Sequence, residues 1–126
     1  MAEALHDVSP VQGPVRVDKP WGYELIWART DRYVGKLLHI SAGHSLSLQY
    51  HKVKDETVFV QQGQMRFRVE EDGHMVDRLL NPGDSYHITP NTKHRMTAVT
   101  DCDVLEASTP ELDDVVRLED NYGRIG

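Results

Sequence analysis

The sequence predicts an all-β sandwich or barrel, and three observations carry that prediction. Short apolar segments recur from Val15 onward, separated by turn residues. Almost none of them runs long enough at a 3.6-residue spacing to make a helix. Glycine, proline, asparagine and aspartate mark the intervals between them, as in small all-β folds. The segments are Tyr23–Ala28, Tyr33–Ile40, Ser45–His51, Thr57–Gln61, Gln64–Glu70, His74–Leu80, Ser85–Ile88, His94–Val99, Val104–Ser108 and Val115–Leu118. Asn81-Pro82-Gly83 and Pro90-Asn91 are turn chemistry, and Asp72-Gly73 is the strongest hairpin signal. There is no internal repeat and no low-complexity segment.

The totals are those of one soluble domain. The 126 residues suffice for one core and are too few for two. A hydrophobic fraction of 39% with 27% charged residues excludes the disordered class. No apolar run approaches the ~20 residues of a membrane span, so no membrane partner is expected. Residues 1–14 hold two prolines and a glycine with little periodicity, and read as a loose or partner-docked arm before a domain over 15–126. They lack the charged and apolar regions of a secretory signal. Cys102, the only cysteine, excludes an internal disulfide and fits a reducing cytoplasm. A formal charge of -6 with no basic stripe argues against nucleic acid. Glu111, Asp113, Asp114, Glu119 and Asp120 thicken the acidic content near the end, where a solvated tail is one reading.

Strand parity sharpens the picture. Within Ser45–His51 the odd positions are Ser45, Ser47, Gln49 and His51, and the even ones are Leu46, Leu48 and Tyr50. If the polar side looks into the barrel, the apolar side needs a cover from outside, and a homodimer is the expectation. Lys36 shares one strand face with Leu38 and Ile40, either snorkelling outward or entering a pocket. Trp21 and Trp27 read as packing residues rather than as a sugar platform. Arg66, Arg68, Tyr86 and His87 are candidates for the barrel mouth, and His39, His44 and His74 read as turn or surface histidines.

One stretch carries the chemistry. Gln49 and His51 share a face, and the turn Lys52-Val53-Lys54-Asp55 is short enough to return Glu56 beside His51. His94 opens a later strand after Asn91, a residue suited to the left-handed turn that would aim it inward. A buried carboxylate beside two imidazoles calls for a cation. The set Gln49, His51, Glu56 and His94 suits a divalent Zn, Mn, Fe, Co or Ni ion.

The pattern Gly43-x5-Gln49-x-His51-x4-Glu56-x6-Gly63, then Gly83-x10-His94, resembles the paired motifs of the cupin superfamily. These are small jelly-roll barrels that hold a metal between three histidines and a glutamate, with Gln49 here at the first histidine position. Lys19-Pro20-Trp21-Gly22-Tyr23-Glu24, Leu46-Ser47-Leu48-Gln49-Tyr50-His51 and Asp113-Asp114-Val115-Val116-Arg117-Leu118-Glu119-Asp120-Asn121-Tyr122-Gly123-Arg124 are similar to the cupin form of mannose-6-phosphate isomerase. That form is also the C-terminal domain of bifunctional mannose-1-phosphate guanylyltransferases. After its metal histidine that family commonly runs His-His-Arg-Ser-Glu-His, where this chain has Lys52-Val53-Lys54-Asp55-Glu56-Thr57. Lysine keeps the charge at 54 and loses the planar fork of arginine.

The resemblance implies aldose–ketose isomerisation of a sugar phosphate, through an enediol whose oxygens the metal holds. Lys36, Lys54, Tyr86 and Arg117 are its candidates for substrate binding, with Arg117 and Arg124 alternatively pairing with nearby acids. No residue stands out as the general base, Glu24 and Tyr86 being the options. Two other classes stay open: a non-catalytic sugar- or metabolite-binding module, and an Fe(II)-dependent oxygenase. In each the ligand is a small molecule.

Overall fold

Alternating apolar and polar residues in short runs fold into eleven strands, and no helix occurs among the described residues. The computed structural model describes residues 11 and 13–124, so the expected arm over 1–14 lies almost entirely outside them. The strands are β1 (Val15–Lys19), β2 (Gly22–Arg29), β3 (Val34–Ile40), β4 (Leu48–Tyr50), β5 (Glu56–Gln62), β6 (Met65–Glu71), β7 (His74–Leu80), β8 (Ser85–Ile88), β9 (His94–Ala98), β10 (Cys102–Ser108) and β11 (Val116–Glu119). They form a six-stranded sheet, β1-β2-β3-β10-β5-β8, and a five-stranded sheet, β11-β4-β9-β6-β7. Every pairing is antiparallel. The sheets enclose one core as a single-domain jelly roll.

Period-two alternation decides what enters that core. On β5, Glu56, Val58 and Val60 are buried while Thr57, Phe59 and Gln61 are exposed. On β10, Cys102, Val104, Glu106 and Ser108 are buried. Met65, Phe67, Val69, Ile88 and Met96 complete the apolar centre. Asp72 (φ 53°) and Gly73 (φ 80°) make the tight β6–β7 hairpin, a left-handed pair that Asp-Gly accepts at low cost.

Four local expectations change. β1 is a strand that the sequence reading passed over, because its alternation is charged and it pairs only with β2. The segment Ser45–His51 is regular only over Leu48–Tyr50. Before that, a Ser45–Thr97 bridge and the Leu46 N–H donating to Met96 carry the chain irregularly along β9. The irregularity breaks parity, so Leu46 packs against the core instead of facing outward. Trp21 packs as expected at 3% exposure, whereas Trp27 is 61% exposed. Asp114 and Asp120 are not free tail carboxylates: Asp120 holds Arg124, and Asp114 caps the turn described next.

A candidate metal centre beside a charged cavity

Two histidines and a glutamate from three places in the chain converge inside the barrel. Each histidine is aimed by a backbone carbonyl. His51 Nδ1 contacts the Asp114 carbonyl at 2.5 Å, and His94 Nδ1 contacts the Thr92 carbonyl at 2.9 Å. A carbonyl only accepts, so both Nδ1 atoms carry the proton and donate. Each Nε2 then faces Glu56 Oε2, at 2.6 Å from His51 and 3.8 Å from His94. All three side chains are buried.

The turn before Glu56 owes its shape to a distant residue. The Asp114 carboxylate accepts from the backbone N–H groups of Lys52, Val53 and Lys54 at 3.1, 2.7 and 2.9 Å. Those three donors, Lys54 first, hold its carboxyl down at about 2. The same residue therefore fixes the turn with its side chain and the His51 ring with its carbonyl. Asn91, at φ 65°, donates its N–H to the His51 carbonyl at 2.6 Å, closing the loop that delivers His94.

These donors fit a divalent cation. With Nδ1 already protonated, only a second proton on His51 Nε2 could donate to Glu56, and it would leave the His94 Nε2 lone pair without a donor in a buried site. His51 Nε2, Glu56 Oε2 and His94 Nε2 are all buried atoms without a hydrogen bond, and they lie within 4.8 Å of one another. A metal ion would engage all three together. Burial holds His94 below its usual range and keeps the ring neutral, as ligation requires. Burial alone would raise Glu56; the His51 contact, followed by Lys54 and His94, reverses this and brings it to about 2.

Glu56 is less isolated than its sequence neighbours imply. Lys54 is buried, with Nζ 3.1 Å from Glu106 and 3.9 Å from Glu56 Oε1. The two oxygens of Glu56 thus divide, one toward an ammonium and one toward the imidazoles. Lys54 stays protonated, since Glu106 and Glu56 outweigh the lowering effect of burial. Glu106 is pushed up to about 7 by burial and then by the charge of Glu56.

A cavity of about 320 Å³ adjoins the cluster and shares His51 with it. That size lies at the low end of the roughly 300–1,000 Å³ of ligand pockets. Lys36 enters it, buried and 3.5 Å from Glu24, which settles the choice against snorkelling. Gln49 lines it too: β4 pairs with β9 at Gln49–His94 and with β11 at Gln49–Arg117, and its Oε1 accepts from Ser47 Oγ at 2.6 Å. Arg117 lines the cavity and forms no ion pair among the described residues, its Nε buried without a partner. Arg124 instead pairs with Asp120.

Other candidates lie elsewhere. Tyr86 is outside this lining; it donates to Glu71 at 2.5 Å and packs its ring on Phe67. Arg66, Arg68 and His87 are exposed and away from the cavity. His39 pairs with Asp103, His44 with the Tyr122 hydroxyl, and His74 is exposed. Glu106 and the turn-capping role of Asp114 escaped the sequence reading, and both depend on partners more than 50 residues away.

Two packed antiparallel sheets enclosing a His-Glu-His donor set define a jelly-roll barrel with an internal candidate metal site. The chain belongs to the cupin family: the family model for the cupin domain matches residues 36–107. It is 30% identical, over 97% of its length, to mannose-1-phosphate guanylyltransferase of Escherichia coli (strain K12). It is 31% identical to the enzyme ManC of the same name from Salmonella typhimurium (strain LT2). The chain spans only 28% of the length of either relative. Among solved structures, KdgF from Halomonas sp. superposes with a TM-score of 0.64 at 25% identity, covering 79% of this chain and 88% of that one. The capsular polysaccharide assembling protein CapF of Staphylococcus aureus gives 0.69 at 16% identity over 84% of this chain and 34% of its own, a likeness of fold alone.

Proposed function

We propose that this chain is a metal-dependent cupin that binds an anionic sugar and isomerises a sugar phosphate between aldose and ketose. The observation that carries this reading is the union of a three-donor cluster with a cation-rich cavity in a chain of net charge -6. Lys19, Lys36, Lys54 and Arg117 line the cavity, and Lys19 and Arg117 have no ion-pair partner among the described residues. An anion entering there meets positive charge already desolvated by the walls. The guanylyltransferase relatives act on a mannose phosphate by name, which agrees with that charge.

His51, Glu56 and His94 would hold the metal, with Gln49 as a fourth donor. When bound, the ion supplies Lewis acidity to a sugar carbonyl and its neighbouring hydroxyl. The chain's own residues do the rest. Arg117 and Lys36 bind and orient the charged end of the sugar, Arg117 by its fork. Glu24, Glu106 and Asp113 are the carboxylates that line the cavity, and Glu106, poised at about 7, is suited to take and return a proton. Trp21 and Leu38 close the cavity with apolar surface and exclude water. The protein partner in this reading is a second copy of the chain, and the setting is the cytoplasm.

The altered turn supports a second reading, a non-catalytic sugar-binding module: Lys54 is turned into Glu106 and Glu56 rather than offered to a ligand. One assay separates the two. Protein loaded with Mn²⁺, Zn²⁺ or Co²⁺ is given mannose 6-phosphate and other hexose and pentose phosphates, and ketose is measured. Turnover lost in Arg117→Ala supports the isomerase. Saturable binding without turnover across the panel leaves the binding module. Failure of the wild type to bind any of these metals ends the isomerase reading, and failure to bind any of the sugar phosphates ends both.

A further inference from the structure

We propose that the outer face of the six-stranded sheet is the surface on which two copies of this chain meet. The proposal gives a place to the second copy taken above as partner, and it is independent of the metal chemistry. Barrel exteriors are usually polar, and the five-stranded sheet presents mostly charge outward, Arg66, Arg68, Asp77 and Arg95, with Leu79 an isolated exposed leucine among them. The six-stranded sheet does not. Leu25, Leu37, Leu105 and Phe59 are register partners on β2, β3, β10 and β5, forming one unbroken apolar row across four strands. Alternation turns all four away from the core.

Beside the row lies Trp27, 61% exposed. A Cβ placed on Gly35 would sit 2.6, 2.8 and 2.9 Å from three consecutive carbons of its ring, Cζ2, Cε2 and Cη2. Such nearly equal separations belong to the face of a ring rather than its edge. The indole therefore lies flat on the Gly35 backbone and offers its other face to a partner, the posture of an interface anchor.

The occupant is a second copy because this face is complementary to itself. A two-fold axis running along the strands between β3 and β10 bisects the order β1-β2-β3-β10-β5-β8. It lays Leu37 on the partner's Leu105 and Leu25 on the partner's Phe59. At the same end of the sheet it brings Arg32, which has no ion pair among the described residues, over the partner's Asp55. Charge and apolar surface both match under one operation. The size also fits. Six strands about 4.8 Å apart, each rising about 3.3 Å per residue, make a face on the order of 550 Å² before side-chain relief. A standard interface buries about 800 Å² of accessible surface per partner.

Sedimentation velocity and light scattering on the full chain, across a concentration series, test this. The wild type is expected at twice the chain mass. Leu37→Glu and Leu105→Glu, made separately, should each raise the dissociation constant at least about tenfold. Arg32→Glu should weaken the dimer, and adding Asp55→Arg should restore it. Leu79→Glu, on the exposed side of β7, should leave the mass unchanged. Wild-type metal affinity and melting in the monomeric leucine variants show that they are folded and keep this proposal separate from the metal centre. A wild type that stays monomeric throughout, or a dimer that survives both leucine substitutions, overturns it.

Discussion

The two ends of the barrel interior are built on the same strands and held by opposite means. Along β3 the inward positions run Lys36, Leu38, Ile40; along β5, Glu56, Val58, Val60; along β9, His94, Met96, Ala98. On β10 the order reverses with strand direction, from Cys102 and Val104 to Glu106. Antiparallel register therefore gathers the charged positions toward one end, where Ile88, Val69 and Val34 accompany them, and leaves the other end apolar. The apolar end needs nothing but close packing. At the charged end Lys36, Lys54, Glu56 and Glu106 each depend on a named partner, and each loss exposes another group. One strand set thus supplies both a stability core and a reactive cavity, divided by register.

Breaking each end in turn sharpens that contrast. The largest effect is expected at the apolar end, where Phe67→Ala removes a fully buried ring and should cost about 3–5 kcal/mol in urea unfolding. Next comes Lys54→Met, which leaves Glu56 and Glu106 facing each other without a cation and should cost about 3 kcal/mol. Here the ends differ in kind: adding Glu106→Leu to Lys54→Met should recover most of that loss, whereas no second substitution of a charged residue rescues Phe67→Ala. A double-mutant cycle without recovery would count against pairing as the organising force.

Asp114→Ala should act more gently, since the His51 ring is held by the Asp114 carbonyl and only the 52–54 turn is released. Metal affinity by calorimetry should fall about 10- to 100-fold with the fold intact. The smallest effect is acid sensitivity at Asp120. The Arg124 guanidinium holds its carboxyl at about 2, below its ordinary 3.8. A depressed carboxylate stabilises fully above its unfolded value and loses that contribution as pH falls toward the folded one. Asp120→Asn should therefore flatten the pH dependence of melting between about 4 and 2, and an unchanged profile would remove Asp120 from the account.

Much of the site was legible because it obeys local rules. Strand alternation placed Lys36 with Leu38 and Ile40, and Asn91 announced the left-handed turn before His94. What misled was local too. Leu46 looked exterior by parity, but parity holds only on a regular strand, and 45–47 is not one. Trp27 looked like core because tryptophan usually is; it shares the outward parity of Leu25 on β2. Tyr86 lies outside the cavity lining and donates to Glu71, and no local signal reveals that placement.

By itself the sequence determined the all-β class, the turns, the inward parity of most strands and the candidate His-Glu-His set. All of these follow from spacings of a few residues, which backbone geometry translates directly into direction. Only the tertiary structure decided that Lys54 meets Glu106, that Asp114 clasps a turn some sixty residues earlier, and that four separated apolar side chains line up outside the six-stranded sheet. Those juxtapositions depend on which strands become neighbours. Strand order is set by the packing of the whole barrel, and no short stretch of chain contains it.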